Sequence, residues 1–74
     1  MKKLAKELKI KEQDLKDYVD KCLENNEKDF FYLRFANGKT LFEIASILKL
    51  NLERVRQIEA KTLRKIRGNF TKQN

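Results

Sequence analysis

The sequence predicts an all-α fold: a small helical domain of four to five helices with a C-terminal helix-turn-helix. Three observations carry that expectation. The 74 residues contain no proline and two glycines, Gly38 and Gly68, so little interrupts a chain of mostly good helix formers. Apolar side chains recur at three- and four-residue spacing, the period of an amphipathic helix. Residues 40–67, TLFEIASILKLNLERVRQIEAKTLRKIR, hold two helix-start signals, each followed by a run of that period.

The elements follow in order. Leu4-Ala5-Lys6-Glu7-Leu8 forms a first short helix, and Lys9-Ile10-Lys11 separates it from a second, Glu12 to Leu23. There Leu15, Tyr18, Val19, Cys22 and Leu23 share helical spacing. Asn25-Asn26 ends the run and is the predicted cap of a third helix, with Glu27 and Asp29 favoured near its positive N-terminus. The third helix holds Phe30, Phe31, Leu33 and Phe35, and Asn37-Gly38 stops it because both residues tolerate left-handed backbone. Thr40 followed by Glu43 is a capping box that opens a short helix through Leu41, Ile44, Ala45, Ile47 and Leu48. Lys49-Leu50 is the turn. Asn51 then caps a last helix that runs to about Arg67 and ends at Gly68. Asn69 to Asn74 reads as frayed, with Phe70 able to fold back onto the domain. The expected organisation is a support segment, 1–26, packed into one compact unit with a helix-turn-helix segment, 27–74.

A chain of this size buries only about 60% of its unfolded surface, so its stability is marginal. Cys22 is the single cysteine and histidine is absent, which leaves no internal disulfide, no Cys/His metal cluster and no imidazole for acid-base work. The expectation is a protein that is not an enzyme and needs no cofactor. No apolar run approaches a membrane span and the N-terminus has no signal-peptide core, which fits a reducing cytoplasm.

The net charge of +7 is one-sided: residues 1–36 hold nine basic and eight acidic side chains, residues 37–74 nine basic and three acidic. Such an excess suggests a polyanion partner, with a merely soluble basic surface as the alternative. The halves also echo one another. Leu4, Ala5, Leu8, Ile10 and Leu15 answer Ile44, Ala45, Leu48, Leu50 and Val55 at a constant offset of forty. A duplication and a recurring amphipathic pattern both account for this. The front copy carries Glu12, Asp14, Asp17 and Asp20, so it reads as packing support or a protein-binding face.

On a 3.6-residue wheel, Val55, Ile58, Thr62 and Ile66 form one stripe of the last helix, with Leu63 at its border. Opposite lie Glu53, Gln57, Ala60 and Arg64, flanked by Arg56, Lys61 and Arg67. Gln can bond adenine bidentately and Glu can accept from the cytosine amino group in the major groove. Arg and Lys on the flanks suit phosphates, which set register. Base readers stand near the N-terminal end of a recognition helix, where Glu53 and Gln57 are. Taken singly, Glu53 also serves the helix dipole and Gln57 is an ordinary solvated residue; together they favour readout.

The string Leu52-Glu53-Arg54-Val55-Arg56-Gln57-Ile58-Glu59-Ala60-Lys61-Thr62-Leu63-Arg64-Lys65-Ile66-Arg67 closely resembles region 4 of sigma-70 family factors, the module that recognises the −35 promoter element. Leu33-Arg34-Phe35, Asn37-Gly38 and Thr40-Leu41-x-Glu43-Ile44-Ala45 extend the resemblance to about residues 27–67. It implies a domain that docks on the flap of the RNA polymerase β subunit while its last helix contacts double-stranded promoter DNA. By resemblance, Glu53 and Gln57 match base-contacting positions, and Thr40, Asn51, Arg54, Arg56 and Lys61 lie near the DNA backbone. Arg64, Lys65 and Arg67, with Lys61, match a basic surface facing DNA or an activator. Phe31, Leu33, Phe35 and Ile47 are the expected flap-facing residues, with ordinary core as the alternative for the aromatics.

Two departures bear on function. Leu52 stands where the family usually has a DNA-contacting arginine, which predicts a looser or altered base preference worth about 1–3 kcal/mol of discrimination. Nothing resembles region 2, the promoter-melting part, so a separate region 2-bearing sigma protein is an expected partner alongside an activator. The competing expectation is a protein-interaction module that binds polymerase or an activator without reading DNA. No spare hydrophobic seam marks a dimer interface, which predicts a monomer. The core stripe of the last helix is needed internally, which argues against a membrane-surface helix.

Overall fold

A front and a back helical hairpin, the back one ending in a long C-terminal helix, flank a short middle helix in the computed structural model, which describes residues 2–70. Five α-helices are present among those residues: α1 (Lys2–Leu8), α2 (Glu12–Cys22), α3 (Asn25–Phe31), α4 (Leu41–Leu48) and α5 (Leu52–Phe70). A π-helical turn, Tyr32–Ala36, continues α3. The all-α expectation holds, with three boundaries differing.

The start of α3 is capped by Glu24 and not by Asn25-Asn26. The Glu24 N–H donates to Glu27 Oε1 at 2.9 Å, because Glu27, three residues on, can reach back to it. At the other end the α-helical pattern gives way at Tyr32, where the Asn37 N–H donates to the Tyr32 carbonyl at 3.0 Å across five residues. Gly38 then takes a positive φ of 69° and turns the chain toward α4. The third difference is α5, which continues through Gly68 to Phe70 where a stop was expected. Phe70 does fold back: its ring meets Tyr18 edge-on, 5.4 Å between centroids. The rest of the stretch read as frayed, 71–74, lies outside the described residues.

The turn after α1 repeats the turn after α4. Lys9 and Lys49 both adopt left-handed backbone, φ 58° and 59°. The Ile10 N–H donates to the Ala5 carbonyl at 3.0 Å, and the Leu50 N–H to the Ala45 carbonyl at 2.9 Å. These are the reverse-turn bonds that close a helix C-terminus and satisfy its last carbonyls. The two hairpins differ at the next cap. Asn51 Oδ1 accepts from the Arg54 N–H at 2.8 Å, whereas Lys11 makes no side-chain cap.

Burial divides into two clusters. One gathers Leu4, Ala5, Leu8, Leu15, Val19 and Leu23 of the front hairpin with Phe31 and Ile66. The other gathers Phe30, Ile44, Val55 and Ile58. Adjacent residues of α3 thus enter different clusters, and Phe35 packs against both. Its ring lies 5.1 Å from Phe31 and 6.4 Å from Phe30. Tyr32 ties the same turn to α2, its hydroxyl donating to Asp20 Oδ1 at 2.8 Å. Burial and that carboxylate push the Tyr32 phenol up to about 12.

One ion pair joins α3 to α5. Glu27 is 3% exposed, and its Oε1 accepts from Lys65 Nζ at 2.9 Å. Burial alone would raise the Glu27 carboxyl. The Lys65 hydrogen bond, the Glu24 N–H and the nearby Lys65 and Lys61 charges outweigh it and hold the group below the ordinary glutamate value. Glu27 Oε2 is buried with no partner among the described residues, and Lys65 Nζ is the cation bonded to Oε1.

Lys49→Gly, and separately Lys9→Gly, should stabilise the protein by about 0.5–1 kcal/mol, the left-handed cost less the added chain entropy. A urea midpoint that falls for either variant would contradict the turn geometry. For Glu27, the depressed carboxyl contributes stability that is full above the ordinary value of 4.5 and is lost as pH falls through the folded value. Glu27→Gln should therefore lower the urea midpoint at pH 7 and flatten its decline on acidification. An acid limb parallel to the parent's would refute this assignment.

Candidate nucleic-acid interface

The buried side of α5 is Val55, Ile58, Thr62 and Ile66, so the opposite side is forced outward. There Glu53, Gln57, Ala60 and Arg64 are exposed, and Arg54, Arg56, Lys61 and Arg67 are exposed on the flanks. Glu53 and Gln57 lie one turn apart in the first part of the helix, with the small Ala60 next along the same face. Arg54 Nη1 donates to Gln57 Oε1 at 3.4 Å, linking a flank cation to the amide. A carboxylate, an amide and several cations on one face offer acceptors and donors to base edges and charge to phosphates.

Thr40 and Asn51 stand at the starts of α4 and α5. Thr40 Oγ1 accepts from the Glu43 N–H at 3.1 Å, and the Thr40 N–H donates to Glu43 Oε1 at 2.8 Å. That backbone hydrogen bond, with help from Thr40 Oγ1 and Lys39, lowers the Glu43 carboxyl. Both residues are exposed while also capping their helices.

Lys65 departs from the expected basic face. It turns toward α3 and is held by Glu27, so it is not grouped with Arg64 and Arg67. The cause lies in helical phase: Lys65 adjoins the core residue Ile66 in the chain and sits close to the Ile58 flank. The apolar candidates separate as well. Phe31 is fully buried and presents nothing to a partner, which corrects its flap-facing expectation. Leu33 and Phe35 are half-buried against the core clusters, whereas Ile47 is 50% exposed.

Two features escaped the sequence reading. Phe42 is 73% exposed on α4, the largest solvent-facing ring among the described residues. Its position off the Ile44–Leu48 side of the wheel was the available signal. Asn25 and Asn26, read as caps, instead line a groove with Glu24, Glu27, Arg54, Ile58 and Lys61. The seven-residue spacing of Arg54 and Lys61, two turns on one flank, pointed to that groove.

The sigma-70 region 4 family profile matches residues 21–68. Among curated relatives, the RNA polymerase sigma factor SigA of Microcystis aeruginosa and that of Synechocystis sp. are each 44% identical over 59 residues, covering 74% of this chain and 14% of their own. The SigA of Nostoc sp. is 44% identical over 59 residues, covering 74% of this chain and 15% of its own. The chain thus spans about a seventh of the length of these relatives. No solved structure gives a significant match. No helix among the described residues is long and apolar enough to cross a membrane. The match extends over α3, α4 and nearly all of α5, the helices that build the face described above, and by it the chain belongs to the sigma-70 region 4 family of DNA-binding transcription-initiation domains.

Proposed function

We propose that the chain contacts upstream, −35-type promoter DNA with the outward face of α5 while docking on the flap of the RNA polymerase β subunit. The supporting observation is the division of α5 itself: a fully buried aliphatic stripe opposite exposed Glu53, Gln57 and Arg64. In this reading Glu53 and Gln57 read base edges. Arg54, Arg56 and Lys61 meet phosphates, helped by the exposed starts of α4 and α5 at Thr40 and Asn51. Arg64 and Arg67 extend the charge toward DNA or an activator. The groove at Asn25 and Asn26 continues the backbone-contacting surface beside Arg54 and Lys61.

Docking on the flap falls to apolar side chains of α4 and of the Tyr32–Ala36 turn. Ile47 and Phe42 of α4 are exposed, and Leu33 and Phe35 of the turn are half-buried. Opening of the duplex falls to a region 2-bearing sigma segment working with this domain, which itself acts as a monomer. A second reading, a module that binds polymerase or an activator without reading DNA, draws on Phe42 and on Leu52. That leucine is half-buried where the family usually carries arginine.

Fluorescence anisotropy on −35-containing duplexes tests the first reading. Log affinity should fall linearly with log salt, with a slope near −4.5 for about five neutralised phosphates. Arg56→Ala should weaken every sequence alike and reduce that slope by about one. Glu53→Ala and Gln57→Ala should relax preference at single base pairs by about 1–3 kcal/mol while leaving the slope intact. Unaltered promoter activity in both variants, with polymerase still captured, would replace this reading with the interaction-only one. Phe42→Ser combined with Ile47→Ser should reduce capture of the isolated flap without changing helicity by circular dichroism.

A further inference from the structure

The last turns of α5 persist where the chain itself favours fraying. Gly68 lies inside the helix with open space around it, so no side chain of its own supports the backbone there. Glycine is among the poorest helix residues, and a helix end leaves four carbonyls without internal partners. Beyond the Lys65–Glu27 pair and buried Ile66, support comes from α2. The Tyr18 hydroxyl donates to the Lys65 carbonyl at 3.2 Å. The Tyr18 ring also meets Phe70 edge-on, at 5.4 Å and 70°. Leu63 and Phe70 pack against the cluster that α1 and α2 build around Ile66. Tyr18 and all of α1 lie outside the family-matched segment, which begins at residue 21.

We propose that the front hairpin is a clasp on α5, and that Tyr18 is a positioning residue keeping the helix ordered through Phe70 so that Arg64 stays in line with Glu53 and Gln57. The ordering stands on the α2–α5 contacts alone; its consequence for DNA rests on the outward-face reading given above. Tyr18 touches no nucleic acid in this scheme. It acts through the backbone carbonyl of Lys65 and the ring of Phe70, and the exposed Arg64 guanidinium projects from the turn they brace.

Hydrogen exchange and DNA titration on the full chain test the two parts separately. Tyr18→Ala and Phe70→Ala should each accelerate amide exchange from Arg64 to Phe70 by about tenfold, the scale of losing one ring contact or one hydrogen bond with its neighbours. Protection from Val55 to Ile58 should be retained, and Tyr18→Phe, which keeps the ring and loses the hydroxyl, should fall between. On DNA, Tyr18→Ala should shift the salt slope toward zero by about one without altering base preference. Adding Arg64→Ala to Tyr18→Ala should cost less affinity than Arg64→Ala alone, since both act on one contact. Exchange that is unchanged at the end of α5, or that rises uniformly along it, overturns the clasp. Full additivity with Arg64→Ala overturns its role in DNA contact. A parent chain that binds no duplex would end the DNA reading, and the exchange profile would still decide the clasp.

Discussion

Phe30 and Phe31 are neighbours in the chain, yet each is fully buried in a different apolar cluster. Consecutive residues on a helix point about 100° apart, so a single short helix can serve two cores only if it lies wedged between them. Helix α3 does this, and α5 closes both sides by contributing Ile66 to one cluster and Val55 and Ile58 to the other. The orientation of α5 is therefore set along its length. Residues near its start answer to α4 and Phe30, and residues near its end answer to the front hairpin and Phe31. A domain this small has no other mass with which to hold a long helix.

That arrangement explains why one face of α5 is free to carry polar chemistry. With the aliphatic stripe taken up on two sides, every residue half a turn away faces outward, whatever its type. It also explains the buried carboxylate. Glu27 begins α3 from beneath the basic helix, where it meets the Glu24 N–H and the Lys65 ammonium together. Burying a charge of this kind without a partner is strongly unfavourable, whereas the paired form fixes how α3 and α5 approach. One positive side chain of α5 thus has an internal role while its neighbours keep outward ones.

Most of the backbone plan was legible because it depends on local signals. Thr40 with Glu43, the Lys49-Leu50 turn and the Asn51 cap each involve residues within four positions, and all appear as read. The stripe of α5 was legible for the same reason, since its period is a property of one helix. What stayed hidden depends on partners distant in sequence. Lys65 looked like another outward cation until Glu27, thirty-eight residues earlier, came beside it. Phe31 could be assigned to an apolar surface or to a core, and only the packing of α1 and α2 decides which. The end of α5 was misplaced because Gly68 is a strong local stop, while Tyr18, which holds Phe70, lies on another helix.

The widened turn at Tyr32–Ala36 bears on how relatives of this domain can differ in length. A π-turn accommodates one more residue than an α-turn does, and here the wider loop seats Phe35 against both clusters. Deleting one residue inside it would close the turn to α geometry, so the residues downstream would keep their direction while Phe35 lost its seat. The segment from Asn37 to Lys39 has no helical phase to keep. Length differences among related chains can therefore fall in either place, and an alignment that opens a one-residue gap within Tyr32–Ala36 still superposes residues that share a direction.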